Sequence, residues 1–217
     1  VWRYHRDYEP IIRPTYHDFP HEAQCHAEND DMLLGAHLLV AAVVEPGQTE
    51  RRVWLPGSGA WVDWHSARRY HAGQWATLSA ALDGPPPLLA REGCAVPLNL
   101  GRIHFGQVED VRGFQLFPFE GAGEFEATCF EDDGHSTACR EGAHGQWRLT
   151  VGCTAQGLQV AIAREGQRPP TQESLVLRLP SRDARTLSFT GATIVHDSTD
   201  GDWRSLTLAL DAARRAA

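Results

Sequence analysis

Apolar and polar residues alternate along much of the second half of the chain. In Gln146-Trp-Arg-Leu-Thr-Val151, Trp147, Leu149 and Val151 fall on one face. Leu158, Val160 and Ile162 do the same, as do Leu175, Leu177 and Leu179. Successive side chains leave a strand on opposite sides, so this alternation predicts strands with one buried face. Leu38-Leu-Val-Ala-Ala-Val-Val44 is almost wholly apolar and predicts a strand covered on both faces. Pro10-Ile-Ile-Arg-Pro14 predicts a short strand with a proline at each end. Asp30 to Leu34 predicts the close of a short helix, with Gly35 at the following position, where φ > 0 is needed. Turn signals stand at Glu45-Pro46-Gly47-Gln48, Pro56-Gly57-Ser58-Gly59 and Asp83-Gly84-Pro85-Pro86-Pro87. Strands every ~8–12 residues with turns between are the pattern of a β-sandwich.

These segments predict an all-β chain with two consecutive β-sandwich domains, preceded by the last strand and helix of a (β/α)8 barrel. Residues 1–36 are assigned to the end of the barrel and residues 37–98 to a proximal sandwich. Residues 99–112 show little periodicity and read as a connection, and residues 113–217 form a distal sandwich. The tail from Asp211 to Ala217 is expected to fray. The first residue is Val1 rather than Met, as expected of a piece of a longer polypeptide.

Seven motifs in fixed order resemble the C-terminal part of glycoside hydrolase family 31, the α-glucosidase and α-xylosidase family. They are Pro10 to Pro14, Asp31 to Gly35, Leu38 to Val43 with the turn Glu45-Pro46-Gly47, Val53-Trp54-Leu55-Pro56, Trp61-Val62-Asp63-Trp64, Pro87 to Pro97, and Phe125 to Ser136. Ala42 and Ala90 depart from that family's usual proline and valine, and both are packing changes. The resemblance runs from about Trp2 to Arg140. It implies a retaining α-glycosidase as the parent, with the catalytic barrel of the same polypeptide as this region's partner and a carbohydrate as the parent's substrate. It also implies that no catalytic residue lies here, because the family's two carboxylates sit on barrel strands upstream, and no match to the nucleophile motif occurs in this chain. The isolated region is therefore expected to be inactive.

The formal charge is −8 and all 20 basic residues are arginine. An acidic, unclustered surface argues against nucleic acid or an anionic membrane as partner. No apolar run is long enough for a membrane span. Export stays open, and between compartments the cytoplasm is favoured. The five cysteines, Cys25, Cys94, Cys129, Cys139 and Cys153, fit no zinc spacing; reduced thiols are the default, with one disulfide among the last three as the alternative. No cofactor and no metal are expected.

The candidate binding residues are few. Arg13 could brace an active site, although a structural ion pair is the preferred reading. In Tyr16-His17-Asp18, His17 is a candidate substrate contact, and Trp64 is another. His21, Cys25 and His26 lack the further ligands that a metal site needs. Trp61, Trp64, Tyr70 and Trp75 cluster in sequence and could stack on sugar rings, but Trp61 and Trp75 are expected in the core. Glu131-Asp132-Asp133-Gly134 lacks the spacing of a calcium loop and reads as a hairpin turn, with Asp133 and Gly134 both at φ > 0. Two alternatives to a covering region of a glycosidase stand beside it. One is a carbohydrate-binding module using the Trp61–Trp75 aromatics, and the other is a β-sandwich interaction protein unrelated to sugars. The exposed apolar residues of 1–36 are expected to lean on a neighbour, so a homo-oligomer is also an expectation.

Overall fold

The computed structural model describes residues 2–27, 30–101, 111–170 and 172–211. The chain divides into two units, Val1–Glu92 and Gly93–Ala217.

Among its described residues the first unit carries three short helices, α1 (Trp2–Asp7), α2 (Thr15–Asp18) and α3 (Ala23–Ala27). Its strands are β1 (Ile12–Pro14), β2 (Asp31–Leu34), β3 (Leu38–Ala41), β4 (Glu50–Leu55), β5 (Ala60–Asp63), β6 (Arg69–His71), β7 (Gln74–Ser79) and β8 (Leu88–Arg91). Six of them form one sheet in the order β1-β2-β3-β8-β5-β6, and β4 pairs with β7 in a separate ribbon. Leu33, Leu39, Trp61 and Leu89 of the large sheet share one core with Val53, Leu55, Ala76 and Leu78 of the ribbon. Alternation in β4 sends Val53 and Leu55 inward, and Arg51 with them. That inward guanidinium is held: Nη2 donates to Asp31 Oδ1 at 3.0 Å and Nε to the Ala42 carbonyl at 2.8 Å.

The second unit holds β9 (Cys94–Asn99), β10 (Arg112–Phe117), β11 (Gly123–Glu131), β12 (Gly145–Cys153), β13 (Gly157–Gly166), β14 (Ser174–Pro180), β15 (Thr186–Thr190), β16 (Ala192–Asp200) and β17 (Trp203–Leu210). A five-stranded sheet runs β16-β17-β14-β10-β9, and a four-stranded sheet runs β11-β12-β13-β15. Most pairs are antiparallel; β10–β14 and β13–β15 are parallel. The two inner faces meet in one core, in which Trp147, Leu149 and Val151 of β12 face Leu175, Leu177 and Leu179 of β14 and Leu206 and Leu208 of β17. The three alternating runs seen in the sequence are thus the inward rows of this sandwich.

Three expectations are corrected. The helix expected over Asp30 to Leu34 is strand β2. Asp31 and Leu33 face inward while Leu34 faces out, and β2 finds backbone partners on both sides, in β1 and β3. Sheet pairing overrides a local reading made from a few residues. Gly35 does have a left-handed φ of +62°, but it serves the β2–β3 turn. The strand expected over Leu38 to Val44 stops at Ala41, and Val43 and Val44 are exposed. The boundaries also differ: β1 and β2 extend the first unit's sheet, and β9 pairs along its length with β10, so the division falls at Glu92 and not after residue 98. Residues 102–110 of the expected connection and residues 212–217 of the tail lie outside the described residues.

Candidate functional site

The first candidates lie around β1 and α2. Arg13 is 5% exposed, and its Nη2 donates to Asp18 Oδ2 at 2.8 Å. Its Nη1 reaches the Pro10 carbonyl at 3.3 Å, and Glu9 lies 3.8 Å away. The His17 ring donates from Nδ1 to the other Asp18 oxygen at 2.8 Å. Burial raises the Asp18 pKa, but the hydrogen bonds from His17 and Arg13 outweigh it and hold the carboxyl below its usual range. Arg13 is therefore committed to a structural ion pair, whereas His17 leaves its ring exposed. Tyr16 and His26 stack with centroids 5.5 Å apart, and His26 Nε2 donates to the Pro20 carbonyl at 2.8 Å. Cys25 is buried, and burial pushes its thiol up. Among the described residues no three His, Cys, Asp or Glu side chains gather in a metal-binding group.

Trp64 sits on a different element, the turn between β5 and β6. Asp63 Oδ1 organises that turn by accepting from the His65 and Ser66 amides and the Ser66 hydroxyl. The two substrate-binding candidates, His17 and Trp64, thus stand on separate parts of the unit. Trp61 is 1% exposed, and its Nε1 donates to the Pro56 carbonyl at 2.9 Å, so it is core as expected. Trp75 is not: it is 40% exposed. In the ribbon it stands opposite Trp54 and meets it edge-on at 5.6 Å, while the Arg52 guanidinium covers its face at 4.4 Å. The alternation of β7 gives the inward positions to Ala76 and Leu78, which puts Trp75 outside.

Sequence reasoning missed Glu22. Its carboxylate accepts from Trp54 Nε1 and from the Gly57 amide, both at 2.7 Å, and ties the loop before α3 to the ribbon. The 32-residue separation left no local signal.

In the second unit, Glu131 is 4% exposed and lies between Arg112 (3.4 Å) and Arg164 (3.5 Å). Arg164 also lies over the Trp147 ring. The acidic run that follows is spent on its own turn: Asp133 accepts from the Ser136 hydroxyl and from the Ser136 and His135 amides, which hold it well below the carboxylate range. Gly134 has φ +69°, while Asp133 has none of the left-handed twist expected of it, and β11 and β12 are joined by a long loop containing a 3-10 turn at Ala138–Glu141. All five cysteines are free thiols. Burial pushes Cys129 and Cys153 up, so these are packing residues more than nucleophiles.

A glycosidase acid needs a carboxyl whose pKa is raised. Among the described residues, the carboxyls displaced from their usual range, Asp18, Asp133 and Asp197, all move down. The buried carboxylates, Asp31 and Glu131, are both paired with arginine. The described residues form two β units, and their buried carboxylates are spent on arginine partners.

Residues 8–96 match the glycosyl hydrolase family 31 C-terminal domain. It is 23% identical over 167 residues to alpha-glucosidase 2 of Bacillus thermoamyloliquefaciens, covering 77% of this chain and 21% of that protein. It is 31% identical over 131 residues to neutral alpha-glucosidase C of Macaca fascicularis, covering 59% of this chain and 17% of the relative. The chain therefore spans about a fifth of the length of these relatives. A GH31 dextranase from Flavobacterium johnsoniae shares the fold, with a TM-score of 0.81 at 21% identity over 98% of this chain and 29% of that one. A GH31 alpha-xylosidase from Xanthomonas citri superposes with a TM-score of 0.68 at 25% identity, covering 82% of this chain and 19% of that one.

Proposed function

We propose that this chain is the C-terminal β region of a family 31 enzyme acting on α-glycosidic bonds, an α-glucosidase, and that it stabilises the enzyme's catalytic barrel. The strongest support is an outward apolar strip inside the segment that matches the family domain. Ile12 and Leu34 pair across β1 and β2 and are 63% and 41% exposed, with Ile11 beside them at 37%. β1 is the edge strand of its sheet. An open edge carrying exposed isoleucine and leucine is a liability unless another surface covers it. The occupant is the barrel of the same polypeptide, and the exposed His17 ring stands close enough in sequence to this strip to touch a barrel loop or the substrate. Without the barrel, the strip drives self-association.

Among the described residues no helix is long and apolar enough to cross a membrane. The five free thiols fit a reducing compartment, and the cytoplasm is the proposed location. A carbohydrate-binding module built on Trp61 and Trp75 loses its platform, because Trp61 is buried and Arg52 covers Trp75.

Release of p-nitrophenol from p-nitrophenyl α-glucoside and α-xyloside by the purified chain tests the non-catalytic role. No turnover above a heat-killed control is expected. Turnover that persists through repurification would overturn the proposal.

A further inference from the structure

The outer face of the four-stranded sheet in the second unit is hollowed into an open trough of about 440 Å³. That volume falls within the ~300–1,000 Å³ of small-molecule clefts. The strand register builds it. Glu124 stands opposite Gly152, Gly152 opposite Gln159, and Gln159 opposite Ser188. In the next row on the same face, Thr150 stands opposite Ala161, and Ala161 opposite Thr190. Gly152 and Ala161 therefore form a low floor, and Glu124, Thr150, Gln159, Ser188 and Thr190 form the walls.

The wall residues differ from their neighbours on the same face. Two positions along β11, Glu126 is paired with Arg148 at 2.9 Å, and Arg148 also reaches Glu165 at 3.8 Å. Among the described residues, by contrast, the side chains of Glu124, Thr150, Gln159 and Thr190 have no partner within the protein. Ser188 spends only its hydroxyl hydrogen, on the Leu158 carbonyl at 3.5 Å.

We infer that this trough is a binding site for a neutral oligosaccharide. Hydroxyl, amide and carboxylate groups offer the mixed donors and acceptors that sugar hydroxyls require. The trough has no arginine in its wall, so it gives no charge complement to a phosphate or other anion. The glycine and alanine floor lets the C–H face of a ring lie close to the sheet. The site lies on the second unit, so its failure would leave the barrel-covering role of the first unit untouched.

Titration of the ¹⁵N-labelled chain with maltotriose and with isomaltotriose tests the site by amide shift mapping. At least one sugar is expected to shift the amides of Thr150, Gln159, Ser188 and Thr190 with a Kd of about 1 mM. Gly152→Val raises the floor; a Cβ there meets only Gln159, at 3.8 Å, and a β-branched residue suits a strand, so the fold is kept. That variant should weaken binding at least about tenfold. Glu124→Gln should keep measurable binding. Three results would overturn the inference: no shift at sugar concentrations about ten times that Kd, shifts that survive Gly152→Val, or shifts caused only by spermidine and abolished by Glu124→Gln, which would mark a cation site.

Discussion

Trp61 and Trp75 are close in sequence and opposite in environment, so truncating each should have very different consequences. Trp61→Ala empties a fully buried position in the first unit's core. The cavity alone costs about 3–5 kcal/mol. The Pro56 carbonyl loses its 2.9 Å hydrogen bond from the indole. Stranding such a buried acceptor adds about 1–3 kcal/mol. Trp75→Ala loses an edge contact with Trp54, worth about 0.5–1.5 kcal/mol, and the Arg52 contact, worth about 0.5–1 kcal/mol. Its total is about 1–2.5 kcal/mol. Against a domain stability of about 5–15 kcal/mol, the first change is severe and the second modest. Native-state hydrogen exchange separates them by residue. Amides of β3, β5 and β8 should exchange at least about a thousandfold faster in Trp61→Ala, at about 1.4 kcal/mol per decade. They should change by no more than about sixtyfold in Trp75→Ala. Amides of β12 and β14, which have their own core, serve as the reference. Equal acceleration by the two variants, or protection retained in Trp61→Ala, would refute the assignment of these side chains.

Other perturbations give equally direct outcomes. Glu131→Gln removes the carboxylate between Arg112 and Arg164 and leaves buried positive charge unmatched. Urea unfolding should show a loss of about 3–5 kcal/mol in the second unit. Asp18 has a folded pKa below its unfolded value, so its contribution is full above about pH 4 and is lost as pH falls toward the folded pKa. The stability gap between the parent chain and Asp18→Asn should therefore be present at neutral pH and close in acid; a gap that is constant with pH would contradict the ion-pair reading. Ile12→Asp should reduce both light scattering by associated species and the binding of an apolar dye, and unchanged dye binding would remove β1 as the exposed patch.

The sandwich of the second unit was legible because its inward rows are unbroken: Leu158, Val160 and Ile162, and Leu175, Leu177 and Leu179, carry a pure period of two and are all buried. Trp61 was placed in the core on the size of its aromatic side chain, and it is buried there. The β2 segment was misread because Asp31-Met-Leu-Leu34 is too short to show a period, and its partners in β1 and β3 are not apparent from local sequence. Trp75 was misread because hydrophobicity alone puts a tryptophan inside, whereas the alternation of β7 had already given Ala76 and Leu78 the inward positions. The Glu22 clamp on Trp54, the Glu131–Arg164 pair and the trough depend on register between distant strands, which a single sequence does not display. The order of the motifs carried the resemblance to a family 31 C-terminal region, which residues 8–96 match, a level that local reading of polar residues could not reach.

Adding the 217-residue chain to the separately expressed catalytic barrel proposed as its partner, and following heat inactivation of activity on p-nitrophenyl α-glucoside, tests the proposed barrel-covering role most directly. The chain should lengthen the half-life of activity without changing the initial rate, and the double variant Ile12→Asp and Leu34→Asp should lose that protection. Identical inactivation with and without the chain, or full protection by the double variant, would contradict it.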